Sequence, residues 1–321
     1  MLSRAKGEFA MNGNTARGSA MQSDGNGMFA SGCAADTSAD CASRDDANAG
    51  SALQGNAGTD ANADSTLQGN AGSGLQEKAG ADVNLVLLKE WIRESNSIVF
   101  FGGAGVSTES GIPDFRSSGG LFSQDFNYPP EEVVSHGFLE QHPCEFFRFL
   151  KERLLFPNAK PNAAHRALAK LEGEGKLKAV ITQNIDGLHQ QAGSKRVFEL
   201  HGSMLRHYCA RCGKRYGIEP LRESADIPRC DCGGIIRPDV VLYGESLDEN
   251  VLQGSVRAIA QADMLIVGGT SLVVWPAAGL IDFYRGQRLV LINRDETPQD
   301  SRCDLVIHDS IGAVLDAAVM D

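Results

Sequence analysis

The 321-residue sequence lacks any apolar run approaching the roughly 18 residues of a membrane-spanning helix, and its N-terminus lacks the apolar core of a secretory signal. Positive charge is also scarce: 30 Lys and Arg residues stand against 41 Asp and Glu residues, for a formal net charge of −11. A protein that binds nucleic acid by neutralising phosphates needs the opposite balance. We therefore expect a soluble, cytoplasmic protein with no membrane association and no specific nucleic-acid partner.

Residues 1–82 are poor in large apolar side chains and are dominated by Ala, Gly, Asn, Ser and Asp. The word LQGNAG occurs at 53–58 and again at 67–72, and the related LQEKAG follows at 75–80. Two copies are too few to stack into a repeat core, and this composition buries too little apolar surface to offset the entropy of ordering. We predict a disordered low-complexity extension over 1–82 and a folded part over 83–321. A partner-binding or processed segment is the alternative for 1–82.

Short apolar segments alternate with amphipathic ones through the folded part. Strands are expected at 97–101, 179–182, 197–200, 264–267, 289–292 and 305–307. Helices are expected after residue 83, at 131–156, 163–173 and 276–285, and from residue 311. This alternation predicts an α/β fold, a Rossmann-like parallel sheet with helices on both faces. Ligands of such sheets bind beyond the carboxyl ends of the strands.

The alternation breaks between residues 203 and 237, where four of the eight cysteines cluster. Cys209-x2-Cys212 and Cys230-x-Cys232 are separated by 17 residues. Four thiolates complete a tetrahedral zinc shell and leave no open position for catalysis. Clustered cysteines without a secretory signal favour metal binding over disulfides. We predict a small inserted zinc-ribbon domain with a structural Zn²⁺; four unliganded thiols are the alternative.

A glycine-rich loop, Gly102-Gly103-Ala104-Gly105, follows the first predicted strand. Backbone amides in such a loop can approach a pyrophosphate. The loop departs from the dinucleotide fingerprint because Thr108 occupies the third glycine position, and no second strand end carries an acid about 20 residues on. An ordinary dehydrogenase is therefore disfavoured, and on spacing alone a simple tight turn remains an alternative.

Further motifs surround this loop and the cysteine cluster in a fixed order. They are GGAGVSTESGIPDFRS at 102–117, TQNIDGLH at 182–189, LHGS at 200–203, VVLYGE at 240–245, GGTSL at 268–272 and Ile292-Asn293. Together they resemble the sirtuin family of NAD-dependent protein deacylases, in its bacterial form, over residues 83–321. The resemblance implies a transferase that passes the acyl group of a protein lysine to the ADP-ribose of NAD and releases nicotinamide. It also implies acetylated-lysine proteins as substrates and NAD and Zn²⁺ as cofactors.

The resemblance assigns roles to individual residues. His201 is the implied general base, and an imidazole with an ordinary pKa near 6.5 accepts a proton at neutral pH. Asn184 is the second implied catalytic residue. Val240 and Val241 lie in an extended segment that would pair with a substrate strand. The residues implied for NAD are Ala104, Gly105, Thr108, Asp114, Phe115, Arg116, Gln183, Ile185, Asp186, Thr270, Ser271, Asn293 and Ile311.

Two departures bear on the acyl group. Positions 119–128 lack the Tyr-x-x-Arg pair of sirtuins that prefer succinyl or malonyl groups, which favours acetyl. Leu242-Tyr243 replaces the Phe-Phe common in that segment and leaves the preferred acyl length open.

Two other functions are compatible with parts of the sequence. A mono-ADP-ribosyltransferase would use the same NAD pocket, and a zinc-knuckle binding module would merely sense NAD. The presence of Asn184 and His201 favours deacylation over both.

Overall fold

The computed structural model describes residues 73–115, 120, 121 and 128–320, with side chains from residue 83 onward. The strands are β1 Ile98–Gly102, β2 Leu177–Thr182, β3 Val197–Glu199, β4 Gly202–Cys209, β5 Arg215–Tyr216, β6 Ile236–Val240, β7 Met264–Gly268, β8 Leu289–Ile292 and β9 Leu305–Ile307. The helices are α1 Ser73–Glu94, α2 Pro130–Val133, α3 His136–Gln141, α4 Pro143–Phe149, α5 Ala163–Gly173, α6 Leu188–Ala192, α7 Glu219–Glu223, α8 Glu249–Ala260 and α9 Ile311–Val319. Within this part of the chain, no helix combines the length and the apolar character needed to cross a membrane.

Six strands form one parallel sheet in the order β3-β2-β1-β7-β8-β9. Every residue of β1, β7 and β8 is buried, as expected when helices cover both faces of a parallel sheet. The sheet confirms the predicted α/β class. The chain passes from β1 to β2 and β3 on one side, then returns to β7 on the other side of β1. This reversal opens a crevice at the carboxyl ends of β1 and β7, where such folds bind ligands.

Successive residues of β1 enter different cores because strand side chains alternate between the two faces. Phe100 packs with Leu168 and Leu315 on the face covered by α5 and α9. Phe101 packs with Ile259 and Ile281 on the opposite face. Both phenylalanines are completely buried. The two cores fix the central strands, and with them the loops that extend from their carboxyl ends.

A second, antiparallel sheet of order β5-β4-β6 forms the module that contains the clustered cysteines. Phe146 and Phe147 of α4 pack edge to face, with ring centroids 5.4 Å apart, in a third core. Met204 of β4 and Leu242 belong to the same core. The module is therefore attached to the helical segment α2–α4 as well as to the main sheet.

Three predicted segments differ from the structure. Helix α1 begins at Ser73, inside the segment 1–82 for which the composition predicts disorder; residues 1–72 lie outside the described part. The single helix expected over 131–156 is divided into α2, α3, α4 and a π-helical turn at Leu150–Leu154, because Ser135 caps α3 and Pro143 begins α4. The helix expected over 276–285 is a 3₁₀ segment at Ala277–Phe283.

Candidate active site and zinc centre

A cavity of about 810 Å³ lies at the carboxyl edge of the parallel sheet. Its volume is within the range of small-molecule and cofactor sites. Loops that follow β1, β2, β3, β6, β7 and β8 all contribute to its walls. Of the residues implied for NAD, substrate and catalysis, the lining includes Ala104, Gly105, Asp114, Phe115, Gln183, Asn184, Ile185, His201, Val240, Val241, Thr270, Ser271 and Asn293.

The glycine loop after β1 packs directly against the loop after β7. The Gly105 amide donates to the Gly269 carbonyl at 2.8 Å, and a Cβ at Gly105 would stand 2.8 Å from the Gly269 Cα. Gly269 has φ +59°, and a Cβ there would stand 2.3 Å from the Val106 nitrogen. Side chains at either position would separate the two loops. These glycines leave backbone rather than side chains at the crevice, as a pyrophosphate requires.

His201 follows β3 and enters the cavity with one ring nitrogen already engaged. Its Nδ1 lies 2.9 Å from the carbonyl oxygen of Gln183. A carbonyl only accepts hydrogen bonds, so Nδ1 carries the proton of the neutral ring and Nε2 keeps its lone pair. Burial lowers the pKa of His201, partly opposed by the hydrogen bond to Gln183. The imidazole is thereby held as a neutral proton acceptor.

The loop after β2 is joined to the loop after β1 through Ser107. The Asn184 amide donates to Ser107 Oγ at 3.1 Å, and Ser107 Oγ donates to Asp186 Oδ2 at 2.7 Å. Burial raises the pKa of Asp186, and hydrogen bonds from the Leu188 amide and Ser107 oppose that rise. Because Ser107 is almost completely buried, its two hydrogen bonds fix both Asn184 and Asp186 beside the crevice.

Amide and hydroxyl groups from separate strands approach one another on the far wall. Gln183 Nε2 donates to Thr270 Oγ1 at 3.1 Å, which connects the loop after β2 to the loop after β7. Asn293 follows β8 and its side chain donates to the Asp295 carbonyl at 2.7 Å. This set of neutral amides and hydroxyls suits the ribose and carboxamide groups of a dinucleotide.

The four clustered cysteines place their sulfur atoms within 4.8 Å of one another. Cys209 Sγ lies 3.4 Å from Cys232 Sγ, and Cys212 Sγ lies 3.6 Å from Cys230 Sγ. Four sulfurs at the Zn–S distance of about 2.3 Å are about 3.8 Å apart, so the cluster fits one tetrahedral zinc. The Tyr216 hydroxyl donates to Cys230 Sγ at 3.0 Å and orients that ligand.

Comparison with known proteins identifies the family. The model of the Sir2 family matches residues 103–276. The chain belongs to the Sir2 family. A "NAD-dependent protein deacetylase" of Clostridium perfringens (strain 13 / Type A) is 64% identical over 232 residues, which cover 71% of this chain and 95% of that protein.

Two solved Sir2 structures are similar to this Sir2-family chain. One is a Sir2 variant with a deacetylated p53 peptide and 3′-O-acetyl-ADP-ribose, at TM-score 0.69 and 42% identity, covering 74% of this chain and 97% of that one. The other is Sir2 with a p53 peptide and NAD⁺, at TM-score 0.63 and 45% identity, covering 70% of this chain and 93% of that one.

Four of the residues implied by the sirtuin resemblance are not placed on the cavity wall. Thr108 turns its hydroxyl to the Gly105 carbonyl at 3.0 Å, and Asp186 reaches the site through Ser107. Ile311 is only 3% exposed and its side chain belongs to the core, against Gly268. Arg116 lies outside the described residues.

Several wall residues of the Sir2-family site did not stand out in the sequence. They include Ser246 and Leu247 after the VVLYGE motif, Val274–Pro276 after GGTSL, and Asp295 after Asn293. Each follows a motif within a few residues, and that proximity is the signal from which they could have been found. Val134, Leu150 and Leu154 carry no such signal, because the end of α2 and the π-helical turn after α4 bring them to the cavity only through tertiary packing.

Two buried histidines lie behind the glycine loop and take no part in the cavity. The rings of His165 and His189 are tilted by 56° with centroids 4.7 Å apart, and both residues are almost completely buried. Among the described residues, His165 Nε2 and both ring nitrogens of His189 have no hydrogen-bond partner. Asn162 caps α5 beside His165 and donates to the Val106 carbonyl at 2.7 Å, which ties this pair to the loop. Burial lowers the pKa of His165 to about 4 and that of His189 to about 3.

Acid should therefore destabilise the chain through this pair. The folded-state pKa values lie below the ordinary value near 6.5, so the unfolded chain binds more protons and stability falls as the pH falls from about 6.5 toward 4. For His189 the free energy of unfolding should drop by about 2 kcal/mol between pH 7 and pH 5. Urea denaturation of the parent and of His189→Leu at both pH values checks this. Equal acid sensitivity in the two proteins would refute it, since zinc release affects both alike.

Proposed function

We propose that this chain is an NAD-dependent protein lysine deacetylase, in which the acyl group of a substrate lysine passes to ADP-ribose and nicotinamide is released. The observation that carries the proposal is His201, whose Nδ1 is fixed on the Gln183 carbonyl while Nε2 remains available at a cavity of dinucleotide size. The names of relatives with up to 64% identity support the same activity.

When bound, NAD supplies an electrophilic ribose carbon with nicotinamide as the leaving group. His201 Nε2 is the base that removes a proton from a ribose hydroxyl. Asn184 and Asp186, fixed by Ser107, orient the nicotinamide and its ribose. Gln183, Ile185, Asp114 and Phe115 complete that pocket. No step in this scheme uses the zinc ion, and its proposed role is structural.

The remaining parts of NAD are assigned along the same edge of the sheet. Ala104 and Gly105 would hold the pyrophosphate with their backbone, with Thr108 supporting the loop through its hydrogen bond to the Gly105 carbonyl. Arg116, outside the described residues, is proposed from the sequence to pair with the pyrophosphate oxygens. Thr270, Ser271 and Asn293, which line the cavity, would hold the adenosine ribose. The Ile311 side chain is buried, so the backbone of the first turn of α9 is the part that would contact adenine.

Val240 and Val241 receive the acylated peptide by strand pairing. Val240 ends β6, and the Val241 amide donates to the His201 carbonyl at 3.0 Å, so the extended segment begins beside the base. Val134, Leu150 and Ile185 give the adjoining wall an apolar surface, which suits an uncharged acyl group such as acetyl. A cytoplasmic location fits a zinc site built from four cysteines, whose thiolates must stay reduced.

An assay with acetyl-peptide and NAD tests the function, with nicotinamide and deacetylated peptide measured separately. A deacetylase releases both in equal amounts. Nicotinamide release with ADP-ribose attached to protein, and no deacetylation, would instead identify a mono-ADP-ribosyltransferase. Neither product would leave an NAD-sensing module.

The catalytic domain is proposed to be 83–321, with 1–82 dispensable. The cut falls within α1, but the buried α1 residues of the main core, Leu88 and Ile92, both lie after it. Deleting 1–82 should therefore leave kcat/KM for acetyl-peptide and the melting temperature unchanged. Loss of active, folded protein on truncation would show that the extension is part of the catalytic domain.

A further inference from the structure

A buried ion pair spans the loop that carries the proposed substrate strand. The Arg237 side chain is 5% exposed, and its guanidinium donates to both carboxylate oxygens of Glu245, at 2.5 and 3.0 Å. The same guanidinium donates to the Val240 carbonyl at 2.9 Å, and the Leu242 amide donates to Glu245 Oε2 at 2.9 Å. The pair thus fixes the peptide groups on either side of Val241.

The opposite edge of this loop is held by the start of α3. The Tyr243 amide donates to the Val134 carbonyl at 3.0 Å, and the His136 amide donates to the Tyr243 carbonyl at 3.0 Å. The His136 ring reaches Glu245 Oε1 at 2.8 Å. Burial alone would raise the pKa of Glu245, but Arg237, the Leu242 amide and His136 outweigh it and lower the pKa to about 2. The carboxylate therefore stays ionised and keeps all its partners.

Arg237 also connects the loop to the zinc module. It lies on β6 next to Ile236, which packs against Cys209 and Cys230, and its guanidinium is 5.6 Å from the Tyr208 ring centroid. Replacing a buried ion pair by apolar side chains of similar volume is often neutral for stability, so the pair is weak evidence of a stabilising role. Its hydrogen bonds to the Val240 carbonyl and the Leu242 amide, in contrast, act directly on the loop. The bidentate pair is therefore better suited to setting the course of residues 240–245 than to holding the fold together.

We propose that Arg237 and Glu245 are positioning residues for the acylated peptide, which hold the loop 240–245 in the extended course that accepts a substrate strand. The proposal rests on the proposed deacetylase function. Glu245 lines the cavity, but among the described residues the hydrogen bonds of the pair reach the loop 240–245 and His136, and not the His201 ring. Disrupting the ion pair should weaken peptide binding selectively. A double variant with an uncharged residue at both positions should recover part of the lost peptide affinity.

The test compares KM for acetyl-peptide, KM for NAD and kcat in Arg237→Gln, Glu245→Gln and the double variant. Each single variant should raise the peptide KM about tenfold, with kcat and the NAD KM within about twofold, and the double variant should fall below the sum of the two effects. Arg215→Gln is the matched control, because Arg215 lies in the same module and forms an exposed ion pair with Asp239. Zinc content and thermal melting establish that each variant is folded.

An unchanged peptide KM in folded variants would overturn the proposal, as would equal changes in kcat and in both KM values. If Arg237→Gln does not fold, Glu245→Gln decides, because Glu245 is partly exposed. Calorimetric binding of acetyl-peptide separates the proposed deacetylase function from the positioning role of the ion pair. A parent that binds peptide without deacetylating it contradicts the function. The peptide affinities of the variants still test the positioning role.

Discussion

Replacing His201 by Ala should reduce deacetylation by about 10²–10⁴-fold, the usual effect of losing a general base. The ring contributes one hydrogen bond, to the Gln183 carbonyl, and lies at the cavity rather than in any of the cores. Folding and NAD binding should therefore survive, as measured by thermal melting with and without NAD. Peptide turnover followed by mass spectrometry gives the rate.

His201→Gln separates the base from the hydrogen bond, because a Gln amide can donate to the Gln183 carbonyl but cannot accept a proton at neutral pH. It should be as inactive as His201→Ala. In the parent, kcat/KM should rise as His201 loses its proton and level off above that pKa. Burial lowers the pKa of His201, so this acid limb should lie below pH 6.5. Activity within a few-fold of the parent in either variant would remove His201 from the mechanism.

Replacing Cys230 by Ala should release the zinc and unfold the module over 203–237. Zinc binding and folding are coupled in small metal domains, where the bound ion supplies about 10–16 kcal/mol in the peptides studied. The module's own core is small: Ile236 is its one fully buried residue besides the cysteines, among the described residues of that cluster. Activity should fall too, because β4 begins directly after His201 and β6 ends at Val240.

Cys303→Ala is the matched control, since Cys303 is a half-buried thiol outside the cluster that donates to the Gln299 carbonyl. It should keep both metal and activity. Metal analysis and thermal melting check both variants. A stable, zinc-free and fully active Cys230→Ala would contradict a structural zinc, and a stable but inactive one would assign the ion a catalytic role.

The sequence predicted the limits of those strands and helices whose ends are marked by neighbouring turn or capping residues. Strands β8 and β9 and helix α5 have the expected limits, because each apolar run is bounded by turn or capping residues. The division of 131–156 was not predicted, since its apolar spacing is continuous and the breaks depend on a single Ser cap and on Pro143. Hydrophobic periodicity alone does not show where a helix is interrupted by a single cap or proline.

The candidate site shows the same limit at longer range. The cavity residues were found because they lie within motifs at strand ends, where a parallel sheet gathers them. Ser107 was missed because its role depends on Asp186, 79 residues away. Ile311 lies at the start of the last helix, as predicted, but its side chain is buried in the core. The sequence pattern gave the position of the residue and not the direction of its side chain.

The most direct test of the account is the identity of the nucleotide product. Purified chain, acetyl-peptide and NAD are incubated together, and the nucleotides are resolved by mass spectrometry. The account predicts O-acetyl-ADP-ribose in amounts equal to nicotinamide and deacetylated peptide, with neither O-acetyl-ADP-ribose nor deacetylated peptide formed by His201→Ala above about 1% of the parent rate. Free acetate with unmodified ADP-ribose as the initial products would contradict it, because the acetyl group would then have passed to water and not to the ribose.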